Sequence, residues 1–537
     1  MKYMKLGTKP DTFYTEEATR SVLSDVPSDL IIQINNTKYL LHKLFLLPSQ
    51  FPLLLKCGLL QRLCSDSSSS SPASGASPSS PLILPDFPGG EAAFELCAKF
   101  CYNISITLSA HNFLPALSAA SYLLMTDSIS RPNFLPKLHT FFLSFILPNW
   151  KDSVVTLASS SSTSPPFSDP TIIRPLIDSI VSKILTPASQ VTWSFTYSRR
   201  ISNSSTPKDW WTEDIAELDL NHFRTIVSCL KSSGGLPPAL IGEALHVYSV
   251  KNLPDPNGMV ELRGKERRVL EAVASMIPIE DGAVSGGFLM RLLKIGILVG
   301  ASTSVRAELV RRAGRQLDEV SVGDLVFYVR EGVVDIGVVE AVVESFLEGF
   351  RRRRAVEKDE RERMRRVAKV FDEYLGFVAG DREMTVEKFV ELSTLLPEVA
   401  REEHDGLYRA IDTFLEEHQD LSKADKKRLC QMIDCRKLSP EARSQAIAND
   451  RLPLRTLVQL LFVEQERMAG TREFRGSPTA HQTVEGEDHR RRRAEEMTER
   501  GRPSTGKKGE GSGSKPEHKG RGEVDVEKKK KVEKRLG

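Results

Sequence analysis

Residues 404–467 constrain the fold more than any other stretch, because four helix signals stand there with little chain between them. Leu407, Ile411 and Phe414 or Leu415 recur at helical spacing. Ser422, with Asp425 three residues on, makes a capping-box start, and Leu429, Met432 and Ile433 supply the apolar side of a second helix. Ser439 before Pro440 is an N-cap with proline at N1, and Asn449 and Asp450 suit the end of that third helix. Pro453 opens a fourth, in which Leu454, Leu457, Val458 and Leu461 make an apolar stripe. Helices this short are marginal alone in water, so the four are expected to pack as one unit.

The whole chain has 537 residues, too many for one typical core, and two or three domains are expected. A net charge of +3 over that length gives no global argument for nucleic acid. Seven scattered cysteines point to a reducing compartment rather than a disulfide scaffold. No apolar run follows the first 14 residues, so no signal peptide is read. The apolar runs at 141–147 and 295–301 are too short to cross a bilayer. A soluble chain is predicted, with attachment to a membrane surface left open.

Strand spacing comes first. Residues 29–35 and 38–41 read as a hairpin turning at Asn35-Asn36. Residues 65–81 are nearly all Ser, Pro, Ala and Gly, and read as a disordered insertion. Leu82-Ile83-Leu84 is a short strand; helical faces follow at Phe94, Cys97, Ala98 and Cys101, then at Phe113, Leu117, Ala120 and Leu124. This predicts a small α+β domain over 28–130, and 131–208 reads as linker and helical extension with a Ser/Pro-rich boundary near 159–170. From 209 to 468 the pattern is helix, short loop, helix, with faces such as Phe223–Ile226–Val227–Leu230 and Phe389–Leu392–Leu396. Residues 470–537 are crowded with Arg, Lys, Glu, Gly and Ser and read as a disordered basic tail.

No catalytic or metal pattern stands out. Cys430 and Cys435, with His418 and His404, lack the paired spacing of a zinc site, and packing explains the cysteines more simply. The glycine pairs Gly234-Gly235 and Gly286-Gly287 lack the phosphate-loop lysine and read as turns. No nucleophile elbow or kinase motif set is present, and no nucleic-acid module is recognised. Metal and cofactor are therefore expected to be absent, and the chain is expected not to be an enzyme. Ser504, behind Arg500 and Arg502, is a candidate phosphorylation site. The tail's Lys528–Lys531 run reads as solubility, nuclear import or contact with anionic lipid, nuclear import ranking low.

These residues carry a resemblance to the plant NPH3/RPT2-like family, whose members join a BTB/POZ domain to an NPH3 domain. The BTB-like part runs from Asp29 through His42 and Lys43 to Phe87-Pro88-Gly89-Gly90. The NPH3-like part begins at Asp209-Trp210-Trp211 with Asp214 and is most specific at Gly406, Tyr408, Arg409 and Asp412. Residues 329–332 depart from the tyrosine-rich form of the family. The resemblance implies a BTB/POZ domain followed by an all-α NPH3 domain, acting as a non-enzymatic adaptor that docks Cullin-3 in a ubiquitin ligase. It also implies homo- or hetero-oligomers through the BTB part and a link to a phototropin-type receptor kinase and auxin signalling. The cytoplasm, with peripheral plasma-membrane association, is the implied location. A scaffold that recruits no cullin is the alternative. Tyr408 matches the family's characteristic tyrosine. It either packs beside Leu407 and Ile411 with its hydroxyl hydrogen-bonded, or serves in phosphorylation or docking.

Overall fold

Leu30, Ile32 and Ile34 alternate inward along one strand and Thr37, Tyr39 and Leu41 along the next, the period-2 signature of a half-buried hairpin. In this computed structural model they form β4 (Leu30–Ile34) and β5 (Thr37–Leu41), antiparallel, with Ile32 opposite Tyr39. The turn needs a residue at positive φ, and Asn35 supplies it at 49°. The structure describes all residues except 24–25, 44–52, 70–80, 164–165, 200–204, 257–263, 328–334, 353–357 and 474–537.

Three strands precede the hairpin: β1 (Met4–Leu6), β2 (Phe13–Glu16) and β3 (Thr19–Val22). With β6 (Leu82–Ile83) they complete a five-stranded sheet in the order β2-β3-β5-β4-β6, while β1 pairs with β7 (Ile106–Leu108). The sheet thus takes in chain before residue 28, where the sequence-based boundary starts the domain. Helices α1 (Leu53–Lys56), α2 (Gly58–Ser69), α3 (Gly90–Cys101) and α4 (Phe113–Tyr122) belong to the same module. Tyr39 meets Phe94 of α3 edge-on at 4.7 Å, which joins sheet to helix. The helical end of α2 covers Ser65–Ser69, so the serine-rich insertion departs from helix later than its composition predicts; the rest of it lies mostly outside the described residues.

The remainder is helical: α5 (Phe134–Phe141), running into a π-helical turn at Phe142–Ile146, then α6 (Trp150–Ser162), α7 (Pro170–Ile184), α8 (Thr212–Ile215), α9 (Leu220–Ser233), α10 (Pro238–Asn252) and α11 (Lys265–Met276). There follow α12 (Gly286–Leu298), α13 (Thr303–Arg315), α14 (Val322–Leu325), α15 (Ile336–Arg352), α16 (Lys358–Ala379), α17 (Val386–Leu395), α18 (Asp405–Glu417), α19 (Lys423–Cys430), α20 (Pro440–Ile447) and α21 (Leu454–Glu473). Met1–Glu466 form one compact unit. The α+β start and the helical body are as the sequence predicts.

Three expectations are corrected. Residues 159–162 are helix, not boundary loop: α6 keeps burying its inner side through Leu157 and Ser160, and the hydroxyls of Ser159, Ser160 and Ser161 are satisfied by carbonyls three residues earlier. The helices of 404–467 do not stand as a unit of their own, since α18 packs against α16, an upstream helix. In α21 the buried line is Thr456 and Leu460, with Leu457 and Val463 partly covered; Leu454, Val458 and Leu461 face solvent. That helix is apolar around much of its circumference, so spacing alone does not choose the face. The departure noted at 329–332 and the candidate Ser504 lie outside the described residues.

Candidate functional site

Leu407, Ile411 and Phe414 bury one side of α18, and Asp405 ties its start to the next helices by accepting from the Ser439 amide at 2.8 Å. This turns Arg409 and Asp412 outward along a groove of about 660 Å³, lined also by Tyr408, Gln445, Asn449 and Arg451. Asp412 is fully engaged. Arg451 grips both its oxygens, at 2.9 and 3.0 Å, and the Asn449 amide donates at 2.7 Å. Asn449 also donates to the Tyr408 hydroxyl at 3.3 Å. Tyr408 is 3% exposed. Burial pushes its phenol above the ordinary value, and the Asn449 hydrogen bond works against that shift. A phosphate added here would stand beside the Asp412 carboxylate and would displace the Asn449 hydrogen bond. Tyr408 is packed and hydrogen-bonded in this geometry. Tyr408→Phe is expected to lower stability by only about 0.5–1.5 kcal/mol, read from the urea midpoint, because it loses one neutral hydrogen bond.

Arg409 stands between this groove and another of about 560 Å³, which runs along α16 past Lys369, Glu373, Glu402 and Gly406. Gly406 is required by close approach: a Cβ there would come within 2.9 Å of the Asp372 Cβ on α16. Beneath the groove Arg401 donates to Asp372 at 2.8 Å and to the Ser393 carbonyl at 2.9 Å, with both charged side chains buried. His404 accepts from the Asp434 amide through Nδ1; burial, aided by Lys437 and Arg401, holds it towards the neutral form.

The amino-terminal motif residues cluster separately. The His42 ring places Nε2 2.9 Å from the Val26 carbonyl, an acceptor only, so Nε2 carries the proton. Nδ1 then accepts from the Tyr102 hydroxyl, which itself accepts from the His42 amide. Asp29 accepts from the Lys43 amide at 2.6 Å. Lys43 contributes backbone to this contact, which any residue other than proline supplies. Trp210 and Asp214 sit where the first module's helical extension meets the long body. Trp210 packs on Trp150 at 4.6 Å and on Trp193 and Phe195, while Asp214 accepts from Trp150 Nε1 at 2.6 Å and the Thr196 amide at 3.1 Å.

The motif at Arg451 and the helix end at Asn449 are legible in the sequence, but their pairing with Asp412 is not, nor is that of Trp150 with Asp214. Trp150, Asn449 and Arg451 lie 64, 37 and 39 residues from the carboxylates they bind, beyond any local spacing rule. Among the described residues no group of three or more His, Cys, Asp or Glu could hold a metal ion. Cys430 is buried and pushed up to about 11 by desolvation, a packed thiol rather than a reactive one. No helix of the described residues is long and apolar enough to cross a membrane.

Fold and grooves define a class: a small α/β module joined to a long helical body, with polar surface grooves whose central carboxylates are already paired. Residues 209–443 match the NPH3 family. Across 489 residues the chain is 47% identical to the Arabidopsis thaliana BTB/POZ domain-containing protein At5g47800, covering 87% of this chain and 85% of that one. It is 36% identical over 541 residues to the phototropic-responsive NPH3 family protein NPY1 of the same plant, covering 96% and 90%. Identity to BTB/POZ domain-containing protein At1g67900, also of Arabidopsis, is 40% over 529 residues, covering 87% and 81%. The chain belongs to the NPH3 family of BTB/POZ domain-containing proteins, and is a BTB/NPH3 protein of the plant signalling type. Neither name denotes a family of enzymes.

Proposed function

We propose that this protein is a non-enzymatic adaptor that brings client proteins to a Cullin-3 ubiquitin ligase. The observation that carries the reading is the joining of a BTB-named α/β module to a helical body grooved for recognition. The first module would bind the cullin and a second BTB chain. The helical body would hold the client, with Arg409, exposed between the two grooves, as a contact. Such an adaptor supplies no chemistry of its own; it raises the effective concentration of client at the ligase. The test is co-purification of the folded full-length chain with Cullin-3 at matched concentrations. Stoichiometric association supports the role, and none rejects it.

A second reading is favoured by the relative NPY1, a phototropic-responsive protein. In it the chain is a scaffold without a cullin, linking a phototropin-type receptor kinase to other proteins from the cytoplasm or the inner face of the plasma membrane. Proximity labelling in plant tissue separates the two by whether ligase subunits or receptor and membrane partners are captured.

A further inference from the structure

Helix α21 sets its Thr456–Leu460 line into the core and turns large apolar side chains outward. Leu454 is 76% exposed, Val458 56%, Leu461 53% and Phe462 60%. The spacing 454, 458, 461, 462 puts them on one face, opposite the buried line. Single exposed apolar residues are ordinary, but four on one helical face mark a contact surface.

The charges on its border identify the occupant. Arg455 and Glu466 are eleven residues apart, three helical turns, so they stand on the same flank of the apolar face. Arg455 makes no ion pair among the described residues. Glu466 has only a 3.7 Å contact with Arg436, both side chains more than half exposed. In an antiparallel pair of identical helices like flanks meet, which brings Arg455 of each copy beside Glu466 of the other. A parallel pair sets that flank against the one carrying Leu457 and Glu464 and leaves Arg455 and Glu466 of the two copies three turns apart. A membrane surface is a poorer match, because Glu464 and Glu466 border the face where anionic lipid would want cations.

We propose that the exposed face of α21 pairs antiparallel with the same face of a second copy, Val458 of each lying across from Leu461 of the other and Arg455 beside Glu466. The face spans only about 18 Å from Leu454 to Glu466, at about 1.5 Å per residue, which places the contact at the small, weak end of protein interfaces. It acts as a second attachment between chains already held near one another, or as a concentration-dependent dimer. The pairing does not rest on the adaptor reading.

Oxidative cross-linking of the full-length chain tests it, with Cys64→Ser and Cys229→Ser removing the two incompletely buried thiols. One preparation carries Val458→Cys, another Leu461→Cys, and the two are mixed. Cross-links between the different variants should exceed those within either one, and both positions are exposed, so folding should be retained and is checked by circular dichroism. Arg455→Glu or Glu466→Arg alone should cut the yield roughly tenfold by setting like charges together twice, and the double reversal should restore it. Preferential cross-linking within each variant would show a parallel pair and overturn the proposal. So would the absence of cross-links in folded protein, which would assign the face to another protein or to lipid. Association through the first module leaves this readout intact, because the disulfides report the α21 contact alone.

Discussion

Arg401→Met is expected to destabilise the helical body by about 3–5 kcal/mol, the cost of stranding a buried carboxylate. Arg401 and Asp372 are 5% and 7% exposed and joined at 2.8 Å between α16 and the segment entering α18. Both are nearly withdrawn from solvent. Burial is the largest influence on the Asp372 carboxyl and raises it above its ordinary 3.8, while Arg401 acts in the opposite sense. A carboxyl raised on folding contributes stability that is fully present below 3.8 and lost as pH climbs through the folded value. Removing Arg401 lifts that folded value further. The defect should therefore be largest near neutral pH and shrink as the medium is acidified towards the raised value, where Asp372 takes up its proton. Urea unfolding followed by hydrogen exchange of α16 and α18 amides measures this across pH. Arg401→Met with Asp372→Leu should recover most of the loss, since it removes both charges. A single variant with a pH-independent defect would place the cost in lost packing instead.

What the sequence made legible was local. Ser422 and Ser439 read as N-caps, and their hydroxyls accept from the Asp425 and Ala442 amides, both at 3.1 Å. The 29–41 hairpin read correctly because alternation and a turn residue sit within a dozen positions. Strand β1 did not, because it is three residues long and its partner lies far along the chain, Met4 pairing with Leu108; the short β2–β3 hairpin is local but lacks apolar alternation, so its four-residue strands gave no period-2 signal. The groove followed the same division. Tyr408, Arg409 and Asp412 share a short motif on α18, but the residues that fix the state of Tyr408 and Asp412 arrive from the turn between α20 and α21. Gly406 looked like a motif letter, and only the distance to Asp372 gives it a reason. Helix α21 shows where hydrophobic periodicity loses its power: with Leu457, Val458, Leu460, Leu461, Phe462 and Val463 in seven residues, two opposite faces fit equally well.

Asp214→Ala is expected to loosen the joint between the first module's helical extension and the long body, at about 2–4 kcal/mol. The carboxylate accepts from the Trp150 indole on α6 and from the Thr196 amide in the extended segment after α7. Alanine accepts from neither. Hydrogen bonds to a charged group contribute about 1.5–3 kcal/mol each, and the buried Trp150 indole would be left without an acceptor, whereas the amide of the exposed Thr196 can turn to water. Asp214→Asn keeps one acceptor oxygen and should cost less than half as much. Arg199, held by Asp209, Glu213 and Glu243, anchors the same segment from its far end, so the effect should be local release rather than global unfolding. Faster proteolysis between residues 186 and 199, with a shift in the fluorescence of the Trp150, Trp193 and Trp210 cluster, is the expected signature. Wild-type proteolysis and fluorescence in Asp214→Ala would mean that aromatic packing alone holds the joint and that the carboxylate is dispensable.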